Sequence, residues 1–247
     1  MYPDHEAPYS THVNAHGQGM PLPPDGLRPG QLGVVLLGRV IVGDIAATLV
    51  DLAGREIVQV AEDPDAGTWL LGASSAARHR RQELHGYEKA LLRGLPTDRL
   101  AGITDLAPTY LKAMARARSA LIGDAVRRGW LRRFGQGQRT KQGEELALRI
   151  RSFQRELRRR RSDQGESAFD GPSLPYALHF GLVHSGELPL ARFAAAWVGA
   201  FAGLPGWRRT EPHRRRFGDV PSSQPSIDEQ MTQQGAELWV MSVTGGW

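Results

Sequence analysis

The chain has 247 residues, 40% of them hydrophobic, a formal net charge of +5 and no cysteine. That length allows one large or two small domains with a real core, and the missing cysteine excludes disulfide frameworks, thiolate metal sites and cysteine nucleophiles. The longest apolar stretches, 32–42 and 193–204, fall far short of the ~20 residues of a spanning helix, and the N-terminal Met1-Tyr2-Pro3-Asp4-His5 has no secretory pattern, so a cytoplasmic protein is expected.

Residues 1–31 contain six prolines, three histidines and almost no aliphatic periodicity, which predicts a disordered leader over 1–27. A winged-helix-like unit is expected over 28–75. It opens with a short helix over Leu32–Leu37, breaks at Gly38, and continues in a helix from Gly43 to Ala53 with Ile45, Leu49 and Leu52 on one stripe, closed by Gly54. Two strands follow, Glu56–Val60 and Thr68–Leu71, joined by the turn Pro64-Asp65-Ala66-Gly67.

A helical unit with a second wing-like strand is expected over 76–161. Leu84, Tyr87, Leu91 and Leu95 predict a helix over 79–94, stopped by Gly94 and Pro96. A longer helix runs from Pro108, placed in its first turn, to Arg128, and Trp130–Phe134 reads as a strand after Gly129. Here an internal echo arises: residues 47–57 and 121–131 both run helix, small or basic stop, apolar strand, as two tandem units would. Thr140 then opens a third long helix whose buried stripe is Leu146, Ile150, Phe153 and Leu157. A polar linker leads to a helical segment over 172–207, where Pro175 and Pro189 suit the first turns of short helices. A flexible tail, basic then acidic, occupies 208–247, with 237–243 as a candidate strand or partner-binding segment. The fold class expected is mainly α with small β wings: tandem winged-helix-like units plus a C-terminal helical segment.

Charge is segregated along this order. Residues 127–161 carry thirteen Arg or Lys against Glu144, Glu145 and Glu156, residues 208–216 carry five Arg and one Glu, and the tail from 217 has four carboxylates and no basic residue. Only Lys89, Lys112 and Lys141 of the 31 basic residues are lysine, which fits either phosphate recognition by guanidinium groups or an arginine-rich coding bias.

Three stretches taken together resemble the cytosolic C-terminal region of a family of predicted bacterial membrane proteins of unknown function. They are Ile45–Ala53 with its strand, then Arg128-Gly129-Trp130-Leu131 with Arg139–Gly143 and Ile150–Phe153, then Leu174-Pro175-Tyr176-Ala177-Leu178 with Gly181-Leu182 and Arg192-Phe193. The resemblance spans roughly residues 28–207 and implies a mostly helical, winged-helix-related region without a known catalytic residue. This chain departs from the family in having no membrane span, so tethering does not carry over.

Catalytic patterns fail on spacing. Gly135-Gln136-Gly137 precedes a helix, but Thr140 stands where a dinucleotide loop needs its third glycine, and no P-loop exists. His12 and His16 lie in the leader, His79 and His85 lack the i, i+4 spacing of a metal pair, and Ser74 and Ser75 sit in no nucleophile elbow. His179 and His184 flank the Leu174–Leu178 stretch and could line a groove with Tyr176 and Trp197, but those aromatics fit core spacing better. No cofactor, no metal and no catalytic residue is expected. The helix Gly43–Ala53 offers Asp44 and Asp51 to a groove of phosphates, which is the wrong chemistry for a recognition helix. The leading expectation is therefore a non-enzymatic binding or scaffold protein that takes a peptide or protein partner. Its candidate contacts are Ile57, Val58, Gln59, Val60 and Trp69 on the wing and Arg151, Arg155, Arg158 and Arg159 on the basic helix. A DNA-binding regulator using those four arginines, and a non-catalytic subunit of an enzyme complex, remain open beside it.

Overall fold

The structure, a computed structural model, describes residues 12–13, 19–21, 23–134, 137–169, 171–183, 188–202 and 204. Two-residue strands β1 (His12–Val13) and β2 (Gly19–Met20) pair antiparallel. The body follows as α1 (Pro29–Leu37), α2 (Val42–Gly54), β3 (Val58–Asp63), β4 (Thr68–Ala73), α3 (Ala76–His79), α4 (Gly86–Leu92), β5 (Ala101–Gly102), α5 (Ile103–Arg127), α6 (Lys141–Gln164), α7 (Leu174–His179) and α8 (Pro189–Ala202). Mainly helical, it carries one three-stranded antiparallel sheet in the order β3-β4-β5.

Several boundaries differ from expectation, each for a local reason. The leader does not run to 27: Leu27 is buried and its carbonyl accepts the Tyr176 hydroxyl at 2.8 Å, while Asp25 takes both ends of the Arg149 guanidinium at 2.6 and 2.9 Å. The helix expected over 79–94 is split, because Glu88 Oε2 accepts the His85 amide at 2.6 Å and starts a new helix at Gly86. Pro108 sits inside α5 rather than in its first turn. The carbonyl it leaves without a donor, that of Thr104, belongs to an exposed residue, so water can satisfy it. Trp130–Phe134 is no strand. The Trp130 and Leu131 amides both turn back to the Ala125 carbonyl, leaving a single bridge between Leu131 and Arg139. Strand β3 begins at Val58, two residues later than expected, because Glu56 is held at φ 59 to close α2. The tail segments 208–235 and 237–243 lie outside the described residues.

The core runs from Leu27 to Phe201 and is organised around α2, eleven of whose thirteen residues are buried. Helices α1, α7 and α8 and strand β3 surround it. Close approach of α1 is possible because a Cβ on Gly30 or Gly33 would collide with the Thr48 hydroxyl or the Asp44 carboxylate. Helix α8 lies on one face of the sheet, where Phe193 meets Trp69 edge-on at 5.9 Å, and against α5 through Trp197 and Tyr110 at 5.1 Å.

Three of the six buried polar residues among those described start helices. Gln31, Asp44 and Glu88, all buried, accept the amides of Arg28, Ile41 and His85 at 2.9, 2.8 and 2.6 Å, closing α1, α2 and α4. Each also reaches a second element: Gln31 donates to Asp124 at 3.0 Å, Asp44 Oδ1 lies 3.1 Å from His179 Nδ1, and Glu88 accepts from Arg55 at 3.1 Å. Each of these three side chains thus does two jobs, starting its helix and fixing a neighbouring element.

The internal echo has a geometric counterpart. At the end of α2 the amides of Arg55, Glu56 and Ile57 return to the carbonyls of Asp51, Ala53 and Leu52; at the end of α5 those of Arg128, Gly129 and Trp130 return to Asp124, Val126 and Ala125. Glu56 and Gly129 share positive φ, at 59° and 74°. Arg55 pairs with Asp51 as Arg128 does with Asp124, at 3.1 and 3.0 Å. The hairpins then return to matching hydroxyls: Ser74 and Thr140 donate amides to Ile57 and Trp130 and side chains to Glu56 and Gly129. Ile57 therefore corresponds to Trp130, one residue away from the alignment of 47–57 with 121–131. Only Thr140 also caps a long helix, its Oγ1 accepting the Gly143 amide at 3.0 Å. Thr140→Ala is expected to cost about 1–2 kcal/mol in urea denaturation and Ser74→Ala clearly less; equal losses would deny the cap its role.

Candidate functional site

The hairpin β3–β4 is built by its turn and by alternation. Asp63 Oδ1 accepts the Ala66 amide at 3.1 Å and Gly67 takes φ 59. The register pairs Val58 with Ala73, Val60 with Leu71 and Glu62 with Trp69. Because the Ser74 amide bonds the Ile57 carbonyl and the Ala73 amide bonds Pro96 on the other side, alternation places the odd residues of β3 toward β4. Val58, Val60 and Glu62 therefore turn their amides and carbonyls to the outer edge. No other strand pairs there among the described residues.

Beside this edge lies an open groove of about 510 Å³, formed by Ala53 at the end of α2 and Glu56 just beyond it, by Val58, Gln59 and Val60, by Ser74–Ala76 and by Leu190 of α8. Its polar groups are one carboxylate, one amide and two hydroxyls, of which the Ser74 Oγ is already committed to the Glu56 carbonyl at 2.5 Å. No histidine or cationic side chain is among its lining residues, and no group of three or more His, Asp or Glu able to hold a metal occurs among the described residues. What the site presents is backbone: hydrogen-bonding groups in strand geometry above a partly apolar floor.

Of the wing residues expected to meet a partner, Val58, Gln59 and Val60 line the groove, with Gln59 exposed, Val60 half-buried and Val58 buried at its inner end. Ile57 and Trp69 do not. Ile57 is fully buried, and Trp69 turns inward onto Phe193 with the Arg192 guanidinium 5.7 Å over its ring and Arg192 paired to Glu62 at 2.7 Å. Glu56, Ser74 and Leu190 were not anticipated. The first two are marked only by their place in the echo, and Leu190 comes from a remote helix with no local signal.

On α6, Arg155, Arg158 and Arg159 are exposed and Arg151 is half-buried. Arg159 is held by Glu156 at 2.9 Å, which keeps that carboxyl below its ordinary range through the hydrogen bond. Among the described residues, His179, Tyr176 and Trp197 do not line a common groove. His179 faces Asp44 with its side chain 6% exposed, Tyr176 is tied to Leu27, Trp197 is fully buried, and His184 lies outside the described residues. Asp44 and Asp51, read as the wrong face for phosphate, are interior: α2 presents no face to a nucleic acid. Among the described residues no helix is long and apolar enough to cross a membrane. No family model, curated protein or solved structure matches the chain.

Proposed function

We propose that this chain is a non-enzymatic, cytoplasmic binding or scaffold protein built on two winged-helix-like units, and that it takes an extended peptide segment of a protein partner along the outer edge of β3. The observation that carries this reading is the pair of solvent-reachable, unpaired strand positions Val60 and Glu62 beside the Glu56–Leu190 groove, with Val58 buried where the edge meets the core, the arrangement that β-augmentation uses. The tandem-unit reading is supported by the repeated helix closure, strand return and hydroxyl contact, and by β5, which supplies the first unit with a third strand from later in the chain. The family resemblance over residues 28–207 agrees with it. The segregated arginines support a second reading, a DNA-binding regulator, and membership of an enzyme complex as a non-catalytic subunit is the third.

Peptides selected from a random extended library should protect the Val60 and Glu62 amides from hydrogen exchange, which are expected to exchange quickly in the free protein. Val60→Pro removes only an outward amide, so it should keep the fold and lower peptide affinity at least about tenfold. Ala61→Pro, which breaks a bond to β4, should unfold the hairpin. Peptides that bind Val60→Pro as tightly as the parent protein would sink the edge reading.

A further inference from the structure

The internal repeat points to a second surface that the first unit lacks. Helix α5 occupies in the second unit the place that α2 occupies in the first, with Asp124/Arg128 matching Asp51/Arg55. Their environments differ. α2 is buried along almost its whole length, whereas α5 buries eight of its 25 residues, all on one side. The opposite side is a continuous exposed stripe: Lys112, Ala115, Arg116, Ser119, Ile122 and Arg127 recur at helical spacing. Where α5 ends, the second hairpin begins, and it carries exposed Arg132 and Arg133 and the most exposed large apolar side chain among the described residues, Phe134 at 90%.

From this juxtaposition we infer that the α5 stripe and the adjoining 132–134 hairpin form a nucleic-acid interface, its ligand duplex DNA. Three features argue for it. The charge is unspent: no ion pair joins Lys112, Arg116, Arg132 or Arg133 to a carboxylate among the described residues, and Arg133 meets only the Phe134 ring, at 5.4 Å. Asp124 is already held by Gln31, Arg127 and Arg128 at 3.0–3.3 Å, and Asp105, two turns before Lys112 on the same side, makes no ion pair with it. The shape fits as well. From Lys112 to Arg127 the stripe is about 22 Å long, with Ala115 and Ser119 small enough to let the helix enter a major groove about 12 Å wide. Finally, Lys112 and Arg116 stand beside the small residues Ala115 and Ser119, where a strand backbone would pass, and Arg132 and Arg133 beyond the helix end offer a second phosphate contact. An anionic membrane is the poorer match, since the stripe itself offers one partly exposed aliphatic residue, Ile122 at 36%, where insertion needs an apolar face. The surface is separate from the β3 groove and does not depend on the peptide reading.

The test is fluorescence anisotropy of the full chain with a labelled duplex of about 20 base pairs over a salt series. The variant Lys112→Glu/Arg116→Glu/Arg132→Glu/Arg133→Glu should lose at least about a hundredfold in affinity and flatten the salt slope by roughly three to four. The control variant Arg155→Glu/Arg158→Glu/Arg159→Glu, with three reversals on α6, should lose less than about fivefold. Circular dichroism verifies folding, and Lys112→Gln/Arg116→Gln, which introduces no repulsion, gives an intermediate loss if the first variant fails to fold. The inference is overturned by no salt-dependent binding of the parent protein, by an equal or larger loss in the α6 variant, or by tighter binding to vesicles containing phosphatidylserine than to the duplex. Val60→Pro should leave duplex affinity unchanged, which separates this result from the fate of the peptide reading.

Discussion

Trp197→Ala is expected to destabilise the protein by about 3–5 kcal/mol, a large part of the roughly 5–15 kcal/mol by which a domain is stable. The indole is fully buried and stacks on Phe201 with ring centres 4.3 Å apart, meets Tyr110 edge-on at 5.1 Å, and lies 6.1 Å from Phe193. Phe193 in turn contacts Trp69 on β4. Trp197 is thus the point where α8 is joined to α5 and, one ring further, to the sheet. Its Nε1 has no hydrogen-bond partner among the described residues, so truncation sacrifices packing alone and the loss measures the void. Trp197→Phe should recover most of the stability in urea denaturation, since it keeps an aromatic plane against Phe201. A consequence reaches the groove: with α8 loosened, Leu190 no longer backs the β3 edge. A loss below about 1 kcal/mol would mean that α8 is not anchored there.

How much of this was legible in the sequence depended on how local the governing interaction was. The apolar stripes of α2, α5 and α6 follow from spacing alone, and Thr140 was recognisable as a cap because a cap acts within three residues. The β3–β4 hairpin was equally plain, since Pro64-Asp65-Ala66-Gly67 is turn chemistry. The failures came where periodicity competed with a cap. Leu84 has the right spacing for one continuous helix, yet the Glu88 side chain reaching back to His85 restarts it at Gly86. Trp130 and Leu131 read as a strand by composition, but their amides are spent in closing α5.

The candidate site was legible in part. An edge strand can be foreseen from a hairpin, and Val58, Gln59 and Val60 do line the groove beside it. Which face of that hairpin turns inward depends on the remote helix α8, and so Trp69 was misplaced. Acidic residues on α2 looked like a solvent face because carboxylates are rarely buried without partners. Here the partners are a helix amide for Asp44 and the guanidinium of Arg55 for Asp51, neither visible from composition.

Removing Arg55 is expected to cost as much as removing Trp197, by a different mechanism. Its Nη1 lies 3.1 Å from both Asp51 Oδ2 and Glu88 Oε1, while Arg28 approaches Asp51 only to 4.0 Å. Glu88 is fully buried and Asp51 nearly so. Arg55→Met keeps the length of the side chain and deletes its charge, leaving two interior carboxylates with one distant cation, a loss of about 3–5 kcal/mol near neutral pH. Burial already pushes the Asp51 pKa above its ordinary value, opposed by the Arg55 charge. A carboxyl whose folded pKa lies above the unfolded one binds more protons when folded, so its contribution is full below the unfolded value and is lost as pH rises through the folded one. Deleting Arg55 removes the opposing charge and widens that window. The stability gap between Arg55→Met and the parent should therefore narrow as pH falls from neutral into the acid range and Asp51 takes up its proton. Taking the gap cancels the acid sensitivity of every other carboxylate common to both proteins. The triple variant Arg55→Met/Asp51→Asn/Glu88→Gln should regain most of the loss at neutral pH, because no uncompensated charge remains inside. A gap that stays constant with pH, or a triple variant no better than the single one, would show that Arg55 matters through its packing between α2 and α4 and not through its charge.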